Sequence, residues 1–240
     1  MVSALAVAGG VIGFAFAGFT GWRYLKKGRL NNLCWTVGLV LWGVVSFLEA
    51  FAEAPFGWSD ASYRVYYANQ AALVAILAAG TVYLLKEEKA GHAFLLYTIV
   101  LSVAFAALAS MSPTSPEGLC NADASGICQG GSIGGAGWDA SAGYPAVRVS
   151  TFLLTIPGSI VLIGGALLSW WRTKTVYNLL IGVGAMAIAL AGVFARLDLP
   201  QYLPLANIIS ISLMFVGFLY ATEEMKVKSD QAVATGKPAV

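Results

Sequence analysis

Long apolar stretches recur along the whole chain, and short polar or glycine-rich segments separate them. Each stretch has about 20 residues, which is enough for a helix to cross the hydrocarbon core of a bilayer. Because no water is available there to pair with backbone groups, such a stretch forms a helix rather than an open strand. The pattern predicts seven membrane-spanning helices, at residues 4–21, 33–54, 64–85, 93–111, 147–171, 177–195 and 203–222.

The composition agrees with this pattern. Hydrophobic residues make up 58% of the chain, charged residues make up 11%, and the mean hydropathy is +0.76, which excludes an ordinary soluble domain. We therefore expect an all-α, single-domain integral membrane protein, a seven-helix bundle in the lipid bilayer. The net charge of +2 reflects the placement of basic residues at helix ends, and no nucleic-acid partner is expected.

The basic residues predict the orientation of the bundle. Of the 14 lysines and arginines, only Arg64, Arg148 and Arg196 fall on one side of the predicted membrane, and the others lie on the opposite side. Cytoplasmic loops carry the excess of lysine and arginine. The N-terminus is therefore predicted outside the cell membrane and the C-terminus in the cytoplasm.

Similar residues occur in the same order in the two halves of the chain. The first set is Trp22-Arg23, Asn32-Leu33 and Val37-Gly38 in one half, and Trp171-Arg172, Asn178-Leu179 and Val183-Gly184 in the other. One helix later, the spacing of Gly80, Tyr83 and Glu87 matches that of Gly217, Tyr220 and Glu224. The repetition predicts a 3+1+3 plan, in which two parallel three-helix repeats are joined by one linking helix.

The predicted parts are a first repeat at 1–90, a linking helix at 91–111, an outer loop at 112–145, a second repeat at 146–225 and a cytoplasmic tail at 226–240. The distance from Trp-Arg to Asn-Leu is longer by a few residues in the first half, which would be an insertion in a loop.

The outer loop is the one long stretch without a predicted helix. It contains Cys120 and Cys128, and an oxidising compartment would permit a disulfide between them. The loop is either a cap over the bundle or a flexible linker between the halves. Cys34, near the inner end of the second helix, is interpreted as a small apolar filler.

The 3+1+3 plan resembles that of the SWEET sugar transporters. Their Pro-Gln signature is absent from matching helix positions, since Pro200-Gln201 lies in a predicted outer turn. The segment from Trp42 to Glu49 is similar to part of the seven-helix sensor regions of some bacterial histidine kinases, which would imply a sensor that signals through a separate partner.

Microbial opsins have a comparable topology. Arg64 followed by Tyr67-Ala68-Asn69 resembles the Arg-Tyr-Ala-Asp stretch of light-driven pumps, with Asn69 in place of the carboxylate. The last helix has no lysine between Gln201 and Thr222, and a retinal Schiff base requires one. A retinal Schiff base is therefore excluded and no cofactor is predicted, with a non-covalently held pigment as the alternative.

Catalysis has little support in the sequence. His92 is the single histidine, which argues against a metal site built from several histidines. No nucleophile elbow or phosphate loop is present. We expect a non-enzymatic protein with no catalytic residues and no bound metal.

Charged residues cluster near the predicted outer ends of the helices, where charge is costly and often functional. Glu49 is the deepest acid, and we expect pairs between Glu49 and Arg196 and between Glu53 and Arg64 or Arg148. These pairs would form an outward-facing polar pocket. The predicted pocket residues are Glu49, Glu53, Arg64, Tyr67, Asn69, Gln70, Arg148 and Arg196. Interfacial anchors and structural salt bridges are the alternative interpretation.

Two helices carry further signals. Pro157 is predicted to kink its helix and to free a backbone carbonyl. Asn207, Ser210 and Met214 share a face of the last helix, and such residues most often hydrogen-bond neighbouring helices.

These observations favour a sensor or transporter-like protein that binds a small molecule in its polar pocket. The alternative is a structural or accessory subunit that packs against other membrane proteins or against further copies of the chain.

Overall fold

The computed structural model describes residues 2–52, 57–85, 88–115, 119, 137–139, 144–196 and 203–235. Side chains are described at these positions except at 2–3, 144–145, 191–196, 203–204 and 223–235.

The described chain folds into seven helices, which confirms the predicted all-α class. They are α1 (Val2–Lys27), α2 (Leu30–Phe51), α3 (Asp60–Leu85), α4 (Glu88–Met111), α5 (Tyr144–Thr173), α6 (Val176–Arg196) and α7 (Leu203–Thr235). Six of them are long and apolar enough to cross a membrane, and α6 contributes the shorter apolar stretch Val176–Leu190.

Six of the helices form a closed ring. Helix α1 packs on α2, α2 on α3, α3 on α5, α5 on α6 and α6 on α7, and α7 packs back on α1. Helix α4 lies outside the ring, against α3 and α5. Leu39, Leu77 and Met214 are fully buried in the core. The end that contains Gly28, Arg29, Lys174 and Thr175 is called the basic end below, and the end that contains Trp58, Thr114 and Trp138 is called the loop end.

Two turns of the same length connect helices at the basic end. Residues 28–29 join α1 to α2, and residues 174–175 join α5 to α6. Gly28 has a φ of 61° and its N–H bonds to the Tyr24 carbonyl at 2.7 Å; Lys174 has a φ of 54° and its N–H bonds to the Trp170 carbonyl at 2.7 Å. Both helices thus end on a residue in the left-handed region, which commonly closes a helix.

These turns correct one expectation about the repeated motifs. Because the two turns have equal lengths, the longer spacing after Trp22-Arg23 is not a loop insertion. Trp22-Arg23 and Trp171-Arg172 lie at different distances from the ends of their helices. The turns, rather than the Trp-Arg pairs, occupy matching places in the two halves.

Close helix contacts occur at glycines. A Cβ atom built on Gly38 would lie 2.7 Å from Leu77 Cδ2, and one built on Gly184 would lie 2.8 Å from Met214 Cγ. Any side chain at either position would therefore push these helices apart.

A second set of glycine contacts lies nearer the basic end. A Cβ on Gly80 would lie 3.1 Å from the Asn31 carbonyl oxygen, and a Cβ on Gly217 would lie 2.8 Å from the Tyr177 carbonyl oxygen. The absence of a side chain lets α3 approach the start of α2 and α7 approach the start of α6.

Pro157 lies inside α5, which continues on both sides of it. Proline has no N–H, so the carbonyl of Leu153, four residues earlier, has no partner within the helix. The Tyr97 hydroxyl on α4 donates a hydrogen bond of 2.6 Å to that carbonyl. The freed carbonyl that the sequence predicts is thus satisfied by a neighbouring helix, and the predicted kink stays a prediction.

Candidate functional site

Arg64 anchors a polar network at the loop end. Its Nε lies 2.9 Å from Asp60 Oδ2, one helical turn earlier, and its Nη1 donates to the Ala109 carbonyl at the end of α4. Asp60 Oδ1 in turn accepts a hydrogen bond of 2.5 Å from the Thr114 hydroxyl. This network fastens the start of the outer loop to α3.

Trp138 brings a later part of the outer loop back onto the same site. Its side chain is 3% exposed, and its ring centroid lies 5.3 Å from that of Tyr63 and 5.5 Å from that of Tyr67. The Arg64 guanidinium lies 5.7 Å from the centroid of the Trp138 ring. Trp138 also forms an antiparallel bridge with Thr114.

The described loop residues therefore cover the aromatic end of α3. The Trp58 N–H bonds to the Leu119 carbonyl at 3.1 Å, and Leu119 is buried. Of the two interpretations of the loop, a cap fits these residues better than a flexible linker does. Cys120 and Cys128 lie outside the described residues, so their disulfide stays a prediction.

Glu49 occupies the interior of the bundle. It is 1% exposed, and its Oε2 accepts a hydrogen bond of 3.4 Å from the Asn207 amide on α7. Ser210, one turn further along α7, donates a bond of 2.7 Å to the Gly184 carbonyl on α6. Asn207 and Ser210 thus hydrogen-bond neighbouring helices, as predicted for this face of α7.

The other predicted pocket residues are not gathered at one point by the contacts described. Asn69 Nδ2 donates to the Val65 carbonyl of its own helix at 2.7 Å, and Gln70 is half-buried on α3. The Arg148 guanidinium lies 5.8 Å from the ring centroid of Phe152, also on its own helix. Glu53 and the side chain of Arg196 lie outside the described residues. Arg64 and Tyr67 are brought together, through Trp138.

A cavity of about 300 Å³ opens at the other end of the bundle, the basic end. Every helix of the six-helix ring contributes to its wall. The residues that line it are Arg23, Lys27, Arg29, Asn31, Asn32, Trp35, Thr81, Leu84, Leu85, Leu162, Gly165, Ala166, Ser169, Thr173, Tyr177, Asn178, Ile181, Phe218 and Ala221.

The polar part of this cavity consists of cations, amides and hydroxyl groups. Its described lining includes two arginines, a lysine and three asparagines, and no carboxylate. Arg23 Nη1 donates to the neutral Thr222 hydroxyl at 2.6 Å, and Asn178 Nδ2 donates to the Thr175 hydroxyl at 2.9 Å. Such a lining favours a ligand with a negative charge and several acceptor oxygens.

The deeper wall of the cavity is apolar and aromatic. Trp35 is 4% exposed, and its indole N–H has no hydrogen-bond partner among the described residues. Leu162, Ile181 and Phe218 complete this part of the wall. The cavity therefore suits a molecule with both an acidic group and an apolar part.

Sequence reasoning missed this cavity because it used the same residues for other purposes. Arg23 and Arg29 fit the charge pattern that predicts membrane topology, and Asn32 and Asn178 belong to the motifs that predict the repeat. The signal that could have indicated the cavity is that basic residues and asparagines occur together near both short turns at the basic end.

A second cavity, of about 330 Å³, adjoins the first between α3 and α5. It shares Leu85 and Gly165 with the first cavity. Its other lining residues are Val82, Val161, Gly164, Leu168 and Arg172.

Comparison of the chain with protein-family models, with curated proteins and with solved structures finds no match. Within the described part of the chain, no group of three or more histidine, cysteine, aspartate or glutamate residues could hold a metal ion.

Proposed function

We propose that this protein is a non-enzymatic, transporter-like membrane protein that binds a small anionic molecule between two three-helix repeats. The observation that carries the proposal is the cavity at the basic end. Residues from all six ring helices line it, and its polar groups are cations, amides and hydroxyls with no carboxylate among the described lining residues. Transporters built from repeats bind their substrates where the repeats meet.

Matching contacts in the two halves support the repeat. Gly38 and Gly184 lie at the same distance in sequence after the turn residues Gly28 and Lys174, respectively. Each of these two glycines packs against the third helix of its own half. Their partners match as well, because Leu77 precedes Gly80 by as many residues as Met214 precedes Gly217. Such pairs of contacts are what a duplicated three-helix unit would produce.

The order of the ring supports the same arrangement. Helix α3 of the first half contacts α5, the first helix of the second half, and α7 contacts α1 in the same manner. A rotation about an axis along the membrane normal would exchange the α3–α5 contact with the α7–α1 contact. Helix α4 would then be the linking helix of the 3+1+3 plan.

In the proposed orientation the basic end faces the cytoplasm and the cap faces outwards. Arg64, Asp60, Thr114 and Trp138 would hold the outer end closed while the basic cavity is accessible from within. Glu49 and Asn207 would form a second polar site between the two ends. Opening of the cap would expose this site. The outward-facing pocket predicted from the sequence would belong to that other state.

The experiment is native mass spectrometry of the protein released gently from its own membrane. We expect a small anionic molecule to accompany the wild type and to be lost when Arg23→Gln and Arg29→Gln are combined. Loss of charge-assisted hydrogen bonds weakens binding about tenfold or more. Lys26→Gln is the matched control, because Lys26 lies on the Trp22 ring, 3.9 Å from its centroid, and does not line the cavity.

Two results would count against the proposal. Equal retention of the small molecule by the double variant would place the ligand elsewhere. A stoichiometric membrane protein partner with no small molecule would instead support the accessory-subunit alternative.

A further inference from the structure

We use the word seam for the line along which two neighbouring helices of the ring pack. The seam between α3 and α5 is open at Gly164, toward the basic end. A Cβ atom built on Gly164 would have no heavy atom within 4 Å, and Gly164 is exposed. The adjoining cavity lies at this seam, and no residue of α4 lines it. The groove and the basic cavity meet at Leu85 and Gly165, which line both. A Cβ on Gly165 would lie 2.7 Å from Leu85 Cδ1, so the Leu85 side chain separates the two spaces and has to turn aside for a molecule to occupy both.

The opposite seam, between α1 and α7, is filled by aromatic rings. The Phe16 ring centroid lies 4.9 Å from that of Phe215 and 5.2 Å from that of Phe218, and the Phe19 centroid lies 5.9 Å from that of Phe218. Phe19 and Gly165 occupy corresponding positions, because they lie at the same distance in sequence before the turn residues Gly28 and Lys174, respectively. Thr81 and Phe218 likewise follow Gly80 and Gly217 directly. Two small residues at the α3–α5 seam, Gly165 and Thr81, thus occupy the positions that the Phe19 and Phe218 rings occupy at the α1–α7 seam, and a groove results.

The groove is apolar along its length and basic at its rim. Val82, Val161 and Leu168 line it, and the exposed Arg172 lies among the lining residues near the end of α5. An arginine at this depth reaches the headgroup region while its stem covers apolar surface. At the inner end of the groove, Arg23 and Asn178 line the basic cavity.

We infer that the ligand of the basic cavity is an anionic membrane lipid, which enters sideways between α3 and α5. Its acidic headgroup contacts Arg23, Arg29 and Asn178, and an acyl chain lies in the groove along Gly164 and Gly165. This inference rests on the proposed function and specifies the ligand as an amphiphile drawn from the bilayer. Basic pockets between transmembrane helices on the cytoplasmic side suit lipid headgroups of this kind.

The test uses purified protein in nanodiscs of phosphatidylcholine doped with phosphatidylglycerol. After removal of loosely held lipid, bound phosphatidylglycerol is counted by native mass spectrometry. We expect the wild type to retain phosphatidylglycerol over phosphatidylcholine. We also expect Gly164→Leu to reduce this retention about tenfold, because leucine fills the groove.

Gly18→Leu is the matched control. Gly18 and Gly164 lie at the same distance in sequence before the turn residues Gly28 and Lys174, respectively. Gly18 is also exposed, and a Cβ built on it would likewise have no heavy atom within 4 Å. We expect Gly18→Leu to retain phosphatidylglycerol as the wild type does. Equal retention by Gly164→Leu and Gly18→Leu would overturn lateral access through the groove.

Glycerol 3-phosphate separates this inference from the proposed function. If the headgroup alone competes fully with lipid, and Gly164→Leu has no effect, the cavity binds soluble anions and the lipid assignment is wrong. If neither probe binds in a manner that depends on Arg23 and Arg29, the proposed function fails as well.

Discussion

At the residue scale, the contact between Tyr97 and Leu153 joins α4 to the ring. The Leu153 carbonyl lacks an intrahelical donor because Pro157 has no N–H, and the Tyr97 hydroxyl supplies one. A carbonyl left without a donor in an apolar surrounding is costly. This single bond therefore contributes both to the stability of α5 and to the attachment of α4.

A double-mutant cycle tests this assignment. Tyr97→Phe in the wild type should lower the free energy of unfolding by about 1 kcal/mol, because it leaves the Leu153 carbonyl without a partner. In a Pro157→Ala background the same substitution should have almost no effect, because the alanine N–H takes over the carbonyl. Thermal unfolding in detergent measures both. Equal losses in the two backgrounds would show that Tyr97 acts through packing alone.

The sequence predicted some residue contacts and missed others for identifiable reasons. Asn207 and Ser210 were expected to bond to neighbouring helices and do so, since polar groups in an apolar helix have few other partners. The partner of Arg64 was expected on another helix, and Asp60 on its own helix was overlooked. The role of Trp138 depends on the path of a long loop, which local sequence does not determine.

At the element scale, helices extend past the apolar runs that predict them. Helix α3 begins at Asp60, before the predicted start at residue 64, and α5 ends at Thr173, after the predicted end at residue 171. Backbone hydrogen bonding continues beyond the apolar run into segments with polar side chains. Hydropathy therefore locates the spans well, whereas capping and turn residues determine where each helix ends. Ser59, whose hydroxyl accepts a bond of 3.1 Å from the Ser62 N–H, is such a cap.

Glycine substitutions test the helix contacts shared by the two halves. Gly80→Ala and Gly217→Ala should each lower the free energy of unfolding by about 1–3 kcal/mol. The new methyl group at position 80 would clash with the Trp35 ring and crowd the Asn31 carbonyl, and the one at position 217 would clash with the Tyr177 carbonyl. Gly164→Ala should not lower it and should raise it by up to about 1 kcal/mol, since its Cβ has open space and alanine is the better helix former. Thermal unfolding of the three variants is the measurement. An equal response at all three positions would contradict the close contacts at Gly80 and Gly217.

At the scale of the whole molecule, the two ends of the ring differ in a way that suits alternating access. One end is covered by Trp138 and fastened by Arg64 and Asp60, while the other opens into a basic cavity. The seven helices, six of which are long and apolar enough to cross a membrane, were predictable from hydropathy, and the concentration of basic residues at one end was predictable from their positions in the sequence. The cavity was not, because its volume depends on small residues such as Gly165 and Thr81 on helices that are distant in sequence.

The measurement that tests the account most directly is the reactivity of Ser169→Cys in a cysteine-free background toward a membrane-impermeant maleimide. Ser169 lines the basic cavity, while Lys26→Cys and Ala61→Cys report the exposed basic and loop ends. The account predicts that Ser169→Cys and Lys26→Cys react in inside-out vesicles, and that Ala61→Cys reacts in right-side-out vesicles. Reaction of Ser169→Cys from the same side as Ala61→Cys, or from neither side while Lys26→Cys reacts, would contradict a cavity open to the cytoplasm.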